Sequence, residues 1–424
     1  MAIIALFAAI AGLYLYVKKP DFFVILFFTL TIADVNFSIP GLPLNFRALI
    51  GLMAFIRAFT VQQEGTLNKF LNSPARMIIV FIIYTLIVSM AYDLLTFEFF
   101  KTSALTFISV YLGYVYFFKT RSIHFIRTSM ILAGLICLSD LVYTYVWVGQ
   151  FPVQRVYQRL MNVPLVYDEY GMVVEPINWG FYGCICGMAF LLVLTEYIYN
   201  RKSSLFDILL MPMMFMGVLM STSRSSLLGI IGASVFLIAK VLRNRNQADR
   251  ARKLIMFGFG TIVLALFLFS ILQETLNLEV EFVERISSRL IDEPIAVINK
   301  NLGYSYNAQE LDALDWRGEI SEVSYEAFMD LTFVEELFGI GFWGFTVRNL
   351  GHNNLPPHNG LLMLLIEYGI VGSVIWGIIF IGVVRNSFRL NRNTSPLLVN
   401  LLFLFLYCLG QNEILTQGLF FLMV

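Results

Sequence analysis

The sequence predicts an all-α polytopic membrane protein of about twelve transmembrane helices with one large outer loop. Three observations lead there. Of 424 residues, 58% are apolar and 14% charged, and the mean hydropathy is +0.76. A soluble chain of this size needs far more polar surface to cover its core. Apolar runs recur at about the length that crosses ~30 Å of hydrocarbon, without the short alternating strands of a membrane barrel. Basic residues crowd into alternate connections, as the positive-inside rule requires.

Taken in order, spans are expected near 2–17, 21–34, 47–60, 77–92, 102–118, 123–148, 177–199, 205–221, 224–241, 254–272, 359–384 and 397–421. The first lacks a basic start and ends in Lys18-Lys19, which suits a retained span better than a cleaved leader. One set of alternate connections holds 19 of the 29 basic residues, from Lys18 to Arg392, and is read as cytoplasmic. The opposite set faces outward with Arg47, Arg224, Arg317, His352 and His358, whereas His124 falls on the cytoplasmic side. The organisation expected is transmembrane helices over 1–272, a large periplasmic or extracellular loop over 273–358, and C-terminal helices over 359–424. That loop carries 15 acidic and 5 basic residues, and Trp316 to Phe338 repeats at the spacing of amphipathic helices lying over the membrane mouth. Net charge is zero, so nothing points to nucleic acid. All four cysteines (Cys137, Cys184, Cys186, Cys408) lie in apolar runs and read as packing residues.

Chemistry concentrates where loop meets span, at His352-Asn-Asn-Leu-Pro-Pro-His358-Asn359. An imidazole at a membrane edge can take a proton from a hydroxyl. Equally, His358 can be an ordinary helix-start residue beside an Asn359 cap. Arg224, between hydroxyls in Thr222-Ser-Arg-Ser-Ser226, can fork two phosphate oxygens or snorkel to headgroups. Arg317 after Trp316 is a phosphate donor or a solvated charge. Arg47, after the Pro40–Pro43 turn, is a donor or an interfacial anchor. Glu413 in the last apolar run is a costly acid that suits a histidine partner. Glu367, nine residues past His358, reads as a buried partner or packing device rather than a catalyst. Acidic metal pairs, nucleotide-binding glycine patterns and the G-x-S-x-G elbow are all missing from the sequence, so no cofactor or metal is expected.

Three motifs carry a resemblance. Pro357-His-Asn-Gly through Glu367-Tyr-Gly369-Ile-Val-Gly372 resembles the outer-loop-to-helix signature of the O-antigen ligase and exopolysaccharide polymerase superfamily. Thr222-Ser-Arg-Ser-Ser-Leu-Leu-Gly229 is similar to its Ser-Arg motif. Trp316-Arg-Gly-Glu-Ile320 followed by Leu337–Phe345 resembles its arginine and Gly-x-Gly loop pattern. The recognisable motifs cover roughly 220–385. The resemblance implies a GT-C type glycosyltransferase of the bacterial inner membrane, with its active site on the periplasmic face. It further implies an undecaprenyl-diphosphate-linked glycan donor and a glycan or lipid-linked acceptor, with a chain-length regulator and a flippase as further partners. By the same resemblance His358 is the catalytic base, and Arg224 and Arg317 hold the diphosphate. Arg47, without a motif match, is a further candidate to hold the diphosphate, and His352, Glu413 and Asn359, the last being the Asn of the His-Asn pair, are supporting candidates.

The chemistry those residues could run is simple. A sugar C1 on diphosphate already has a leaving group, so the step needs charge stabilisation on departing oxygens and a base for the incoming hydroxyl. Direct attack gives inversion. The expected function is polysaccharide polymerisation. A ligase acting on lipid A core or protein shares the chemistry, and a lipid-linked glycan flippase is the rival from another class, though no two-half repeat supports it.

Overall fold

The computed structural model describes residues 20–35, 46–60, 66–73, 76–120, 124–147, 179–199, 205–242, 320–348, 350, 359–389 and 395–408, with isolated helical positions between 249 and 300. All regular structure among them is helical. The expected span at 2–17 lies outside the described residues, as do about half of 254–272 and the tail of the last. Among the described residues, four helices are long and apolar enough to cross a membrane: His124–Tyr143, Gly180–Tyr199, Arg224–Val241 and Gly360–Gly382. Shorter apolar helices flank them at Asp21–Ile32, Met77–Ala91, Leu205–Met220 and Pro396–Cys408. The chain divides into two compact units.

The first unit comprises residues 1–132, 320–401 and 408–424. It holds α1 (Pro20–Ile32), α2 (Phe46–Thr60), α3 (Thr66–Leu71), α4 (Met77–Ala91) and α5 (Phe97–Thr120), and the start of α6 (His124–Trp147). Aromatic rings fill its interior. Phe55, Phe70 and Tyr111 join α2, α3 and α5 at centroid separations of 5.1 to 5.3 Å, tilted edge to face as ring quadrupoles prefer. Gly51 lets α2 close on the Phe27 ring of α1, since a Cβ there would overlap it. Hydroxyls within spans mostly bond back to the preceding turn, as Thr29 and Thr31 do at 2.8 Å, which costs little in an apolar medium.

Later in the same unit come a helical stretch at 320–329, α10 (Phe333–Phe338), α11 (Gly344–Val347), α12 (Gly360–Arg389) and the first half of α13 (Ser395–Cys408); the intervening α7 to α9 belong to the second unit. The stretch 320–329 is amphipathic. Ile320 and Ser324 are buried, and Phe328 packs partly on the cluster of Ile340, Phe345 and Ile366, whereas Glu322, Tyr325, Glu326 and Met329 are exposed. A capping box starts α10: Thr332 Oγ1 accepts from Glu335 N, and the Glu335 carboxylate accepts from Thr332 N.

The second unit comprises residues 133–319 and 402–407. Its core is α7 (Trp179–Tyr199) against α8 (Leu205–Met220) and α9 (Arg224–Leu242). Small residues set the spacing. Gly187 and Gly229 grip Phe403 of α13 from two sides, and Gly217 seats Cys186. A buried pair crosses this core: Tyr182 Oη donates to Asp140 Oδ2 at 2.7 Å.

Candidate functional site

Helix α12 begins as its sequence asks. Asn359 Oδ1 accepts from Leu361 N at 3.0 Å and Leu362 N at 3.2 Å, satisfying donors that have no partner within the helix. The cap fixes the helix start at Gly360, one residue past Asn359. His358 and His352 lie outside the described residues, as do Arg317 and Glu413.

The expected continuous span at 359–384 is broken. Gly369 takes φ 62° and ψ −172° inside α12. A left-handed φ of this kind with an extended ψ is open to glycine and strained for other residues. The break releases carbonyls, and the loop turn takes them: Ile340 N donates to Ile366 O at 3.1 Å and Gly341 N to Glu367 O at 2.9 Å. Gly339 and Gly341 also have positive φ, 79° and 91°. A Cβ on Gly339 would fall inside the Glu367 carbonyl. The Gly-x-Gly turn and the Glu-x-Gly helix, 28 residues apart in sequence at Gly341 and Gly369, are therefore two halves of one contact.

Helix α4 holds that contact from a third side. Tyr84 Oη lies 2.8 Å from both Phe338 O and Tyr368 O, one proton shared between two carbonyls. Phe342 N donates to Ser89 Oγ at 3.1 Å. Glu367 is buried with its carboxyl near the Trp343 backbone N–H and the Tyr368 hydroxyl, and its Oε1 has no hydrogen-bond partner among the described residues. Beside the turn, Thr85, Thr102, Ser103 and Thr106 face Phe99 and Phe342 around a cavity of about 40 Å³. That is room for a few water molecules and too little for a sugar ring. Outside the membrane helices, Arg348 Nη1 pairs with Glu335 Oε1 at 2.6 Å and stacks over Tyr92. The guanidinium holds the Glu335 carboxyl below its ordinary value.

Arg47 pairs with Asp34 at 2.5 Å across the α1–α2 connection, so one arm of its fork is already spent. Nothing in the sequence pattern singled out Asp34.

In the second unit, Arg224 is the first residue of α9 and half-buried. Three of the serine hydroxyls around it are committed elsewhere, whereas Thr222 Oγ1 is buried without a hydrogen-bond partner among the described residues. Ser221 Oγ donates to Val218 O at 2.7 Å, and Ser223 Oγ accepts from Ser226 N and lies 2.8 Å from Ser226 Oγ. Ser226 Oγ in turn donates to Gly180 O of α7. A Cβ on Gly183 would overlap Ser221 Oγ. The serines thus build the turn and its seat on α7, and they present Arg224 rather than extend it. Among the proposed site residues, Arg47 and Asn359 belong to the first unit and Arg224 to the second.

Comparison with known proteins bears on this arrangement directly. Residues 209–377 match the O-antigen ligase family. The matched stretch opens before the Thr222–Ser226 turn and closes past Gly372, so it takes in all three motifs of the resemblance. No curated protein matches the chain. The match covers about two-fifths of the chain and agrees with the resemblance carried by the sequence motifs, and helices long and apolar enough to cross a membrane lie within it at Arg224–Val241 and over most of Gly360–Gly382.

Proposed function

We propose that the protein is a polysaccharide polymerase of the bacterial inner membrane, transferring an undecaprenyl-diphosphate-linked glycan to a hydroxyl of the acceptor glycan. The observation that supports glycan transfer, the part of the reading that polymerase and ligase share, is the family match whose span contains the Ser-Arg turn, the loop arginine and the His-Asn pair in order. In the proposed step the acceptor oxygen bonds to C1 as the C1–O–phosphate bond breaks, with inversion. The acceptor proton goes to His358, and the electron pair leaves on the lipid diphosphate, held by Arg224 and Arg317. Arg47 is a further diphosphate donor, and His352, Asn359 and Glu413 support the site. The face used is periplasmic, no metal takes part, and the loop over 273–358 covers the glycan.

Two features support this chemistry. Arg224 is fixed at a helix start by the turn before it, half-buried as a residue with its Nη1 shielded from solvent. Asn359 anchors the helix that begins right after His358, so the base is attached to an ordered element. A well-aimed charged donor contributes roughly 3–4 kcal/mol and a positioned base about 10²–10⁴-fold. The ligase reading is the alternative, favoured by the description of the matched family itself. Purified protein with labelled donor separates them. Banded chain growth from donor alone supports a polymerase, and growth only on added lipid A core or protein overturns it in favour of a ligase.

A further inference from the structure

We propose that Tyr84 is a positioning residue for the transfer reaction: its hydroxyl locks the loop turn onto the break in α12 and so holds the upstream half of that helix. This rests on the reading above, in which the helix start carries the base.

The argument begins with the break. A helix interrupted at Gly369 by a left-handed glycine has two halves that can change angle about that residue. The upstream half, 360–368, starts at the Asn359 cap and so follows His358 directly. Its packing face is short: Ile366 in the small cluster with Ile340 and Phe345, and Leu362 and Met363 partly buried beside it. What fixes its downstream end is the turn. Two backbone bonds tie Ile340 and Gly341 to Ile366 and Glu367, on opposite sides of which stand the glycines whose missing side chains permit the approach.

Tyr84 closes this seam from outside it. Its hydroxyl touches the last carbonyl of α10 and the last carbonyl before the break, residues 254 and 284 positions away in the chain. Its ring also lies against Gly372, just past the break, where a Cβ would come within 2.7 Å of Tyr84 Cε1. One side chain therefore contacts the turn, the upstream half and the downstream half together. Packing alone would be met by phenylalanine at this position; only the hydroxyl makes the two polar contacts. Ser89, on the same helix, repeats the logic at Phe342 N. Neither residue lies within 209–377, so the matched domain draws its alignment from a helix outside it.

The test compares the full-length wild type with Tyr84→Phe and, separately, Ser89→Ala, each in lipid nanodiscs with labelled undecaprenyl-diphosphate glycan. A second readout is independent of activity: labelling by a membrane-impermeant maleimide of Cys placed by Ile340→Cys, a position fully buried in the seam. The native cysteines are all buried. The expected result for Tyr84→Phe is a kcat lower by about tenfold, donor KM within about twofold, and labelling faster by about tenfold, since misplacement by an ångström costs turnover more than binding. Ser89→Ala should move both readouts in the same direction by less. Unchanged labelling, or faster labelling with unchanged kcat, overturns the proposal. A wild type that transfers no sugar sinks the functional reading instead, and the labelling then still reports whether Tyr84 holds the seam.

Discussion

Gly339 and Gly369 meet backbone to backbone. A Cβ on Gly369 would lie 2.6 Å from both Leu337 O and Phe338 C, and a Cβ on Gly339 would lie 2.6 Å from Gly369 N. Both have positive φ. The loop-borne motif and the helix-borne motif of the family resemblance are held together by this contact, so their glycines are structural demands rather than catalytic ones.

Gly369→Ala should therefore lower stability in detergent by more than the ~1–3 kcal/mol of backbone strain alone, because backbone must also move. Gly377, in the same helix with nothing near its Cβ position, is the control. Gly377→Ala should be neutral or slightly stabilising. Thermal unfolding of the two purified variants checks this, and equal midpoints would contradict the packing account.

Arg224 and Ser226 should separate cleanly. Arg224→Ala is expected to cut transfer by about 10²–10³-fold with little effect on unfolding, since a charged donor to a departing phosphate acts mainly in the transition state. Ser226→Ala removes the bond to Gly180 O. It should cost about 1 kcal/mol of stability and leave transfer within a few-fold. A reversed pattern would mean that the serine, not the arginine, meets substrate.

Arg47 offers a test by charge reversal. Its pairing with Asp34 predicts that Arg47→Asp lowers stability and that adding Asp34→Arg restores it. Were Arg47 a diphosphate donor as well, the double variant would recover folding but not transfer. Measuring both on the same preparations decides which role dominates.

The Glu335–Arg348 pair predicts a pH dependence. Arg348 depresses the Glu335 carboxyl, so the native state favours the charged form. Its contribution is in place above the ordinary carboxylate pKa of 4.5 and is lost as pH falls through the lower folded value. Arg348 is partly exposed, so solvent screening limits the pair to a few tenths up to about 1 kcal/mol. Glu335→Gln should thus destabilise at pH 7 and make no difference under strongly acidic conditions, which parallel unfolding curves at the two pH values would reveal.

Much of this architecture was legible in the chain. Apolar runs at 205–221 and 224–241 became α8 and α9 almost residue for residue, because a lipid-facing helix must keep every backbone bond inside itself. The Asn359 cap was legible too, since a proline pair, a short polar residue and an apolar run together mark a helix start. The break at Gly369 was not. Glycine in an apolar span reads equally as a close-packing residue, and its φ depends on a partner 30 residues upstream. Tyr84 was invisible for the same reason: a tyrosine inside Met77–Ala91 looks like span filler until its hydroxyl is seen against two distant carbonyls. Arg224 was legible as the head of an apolar run, whereas the bonds that tie Ser221, Ser223 and Ser226 into the turn and onto α7 were not. Local pattern reveals which groups are present, whereas which are already spent is decided by tertiary contacts.

The most direct test is His358→Ala given labelled undecaprenyl-diphosphate glycan, with donor binding and lipid-diphosphate release followed on the same sample. The account predicts retained binding with release slowed by at least about 10²-fold. Release at the wild-type rate would contradict a histidine base and, with it, the proposed transfer mechanism.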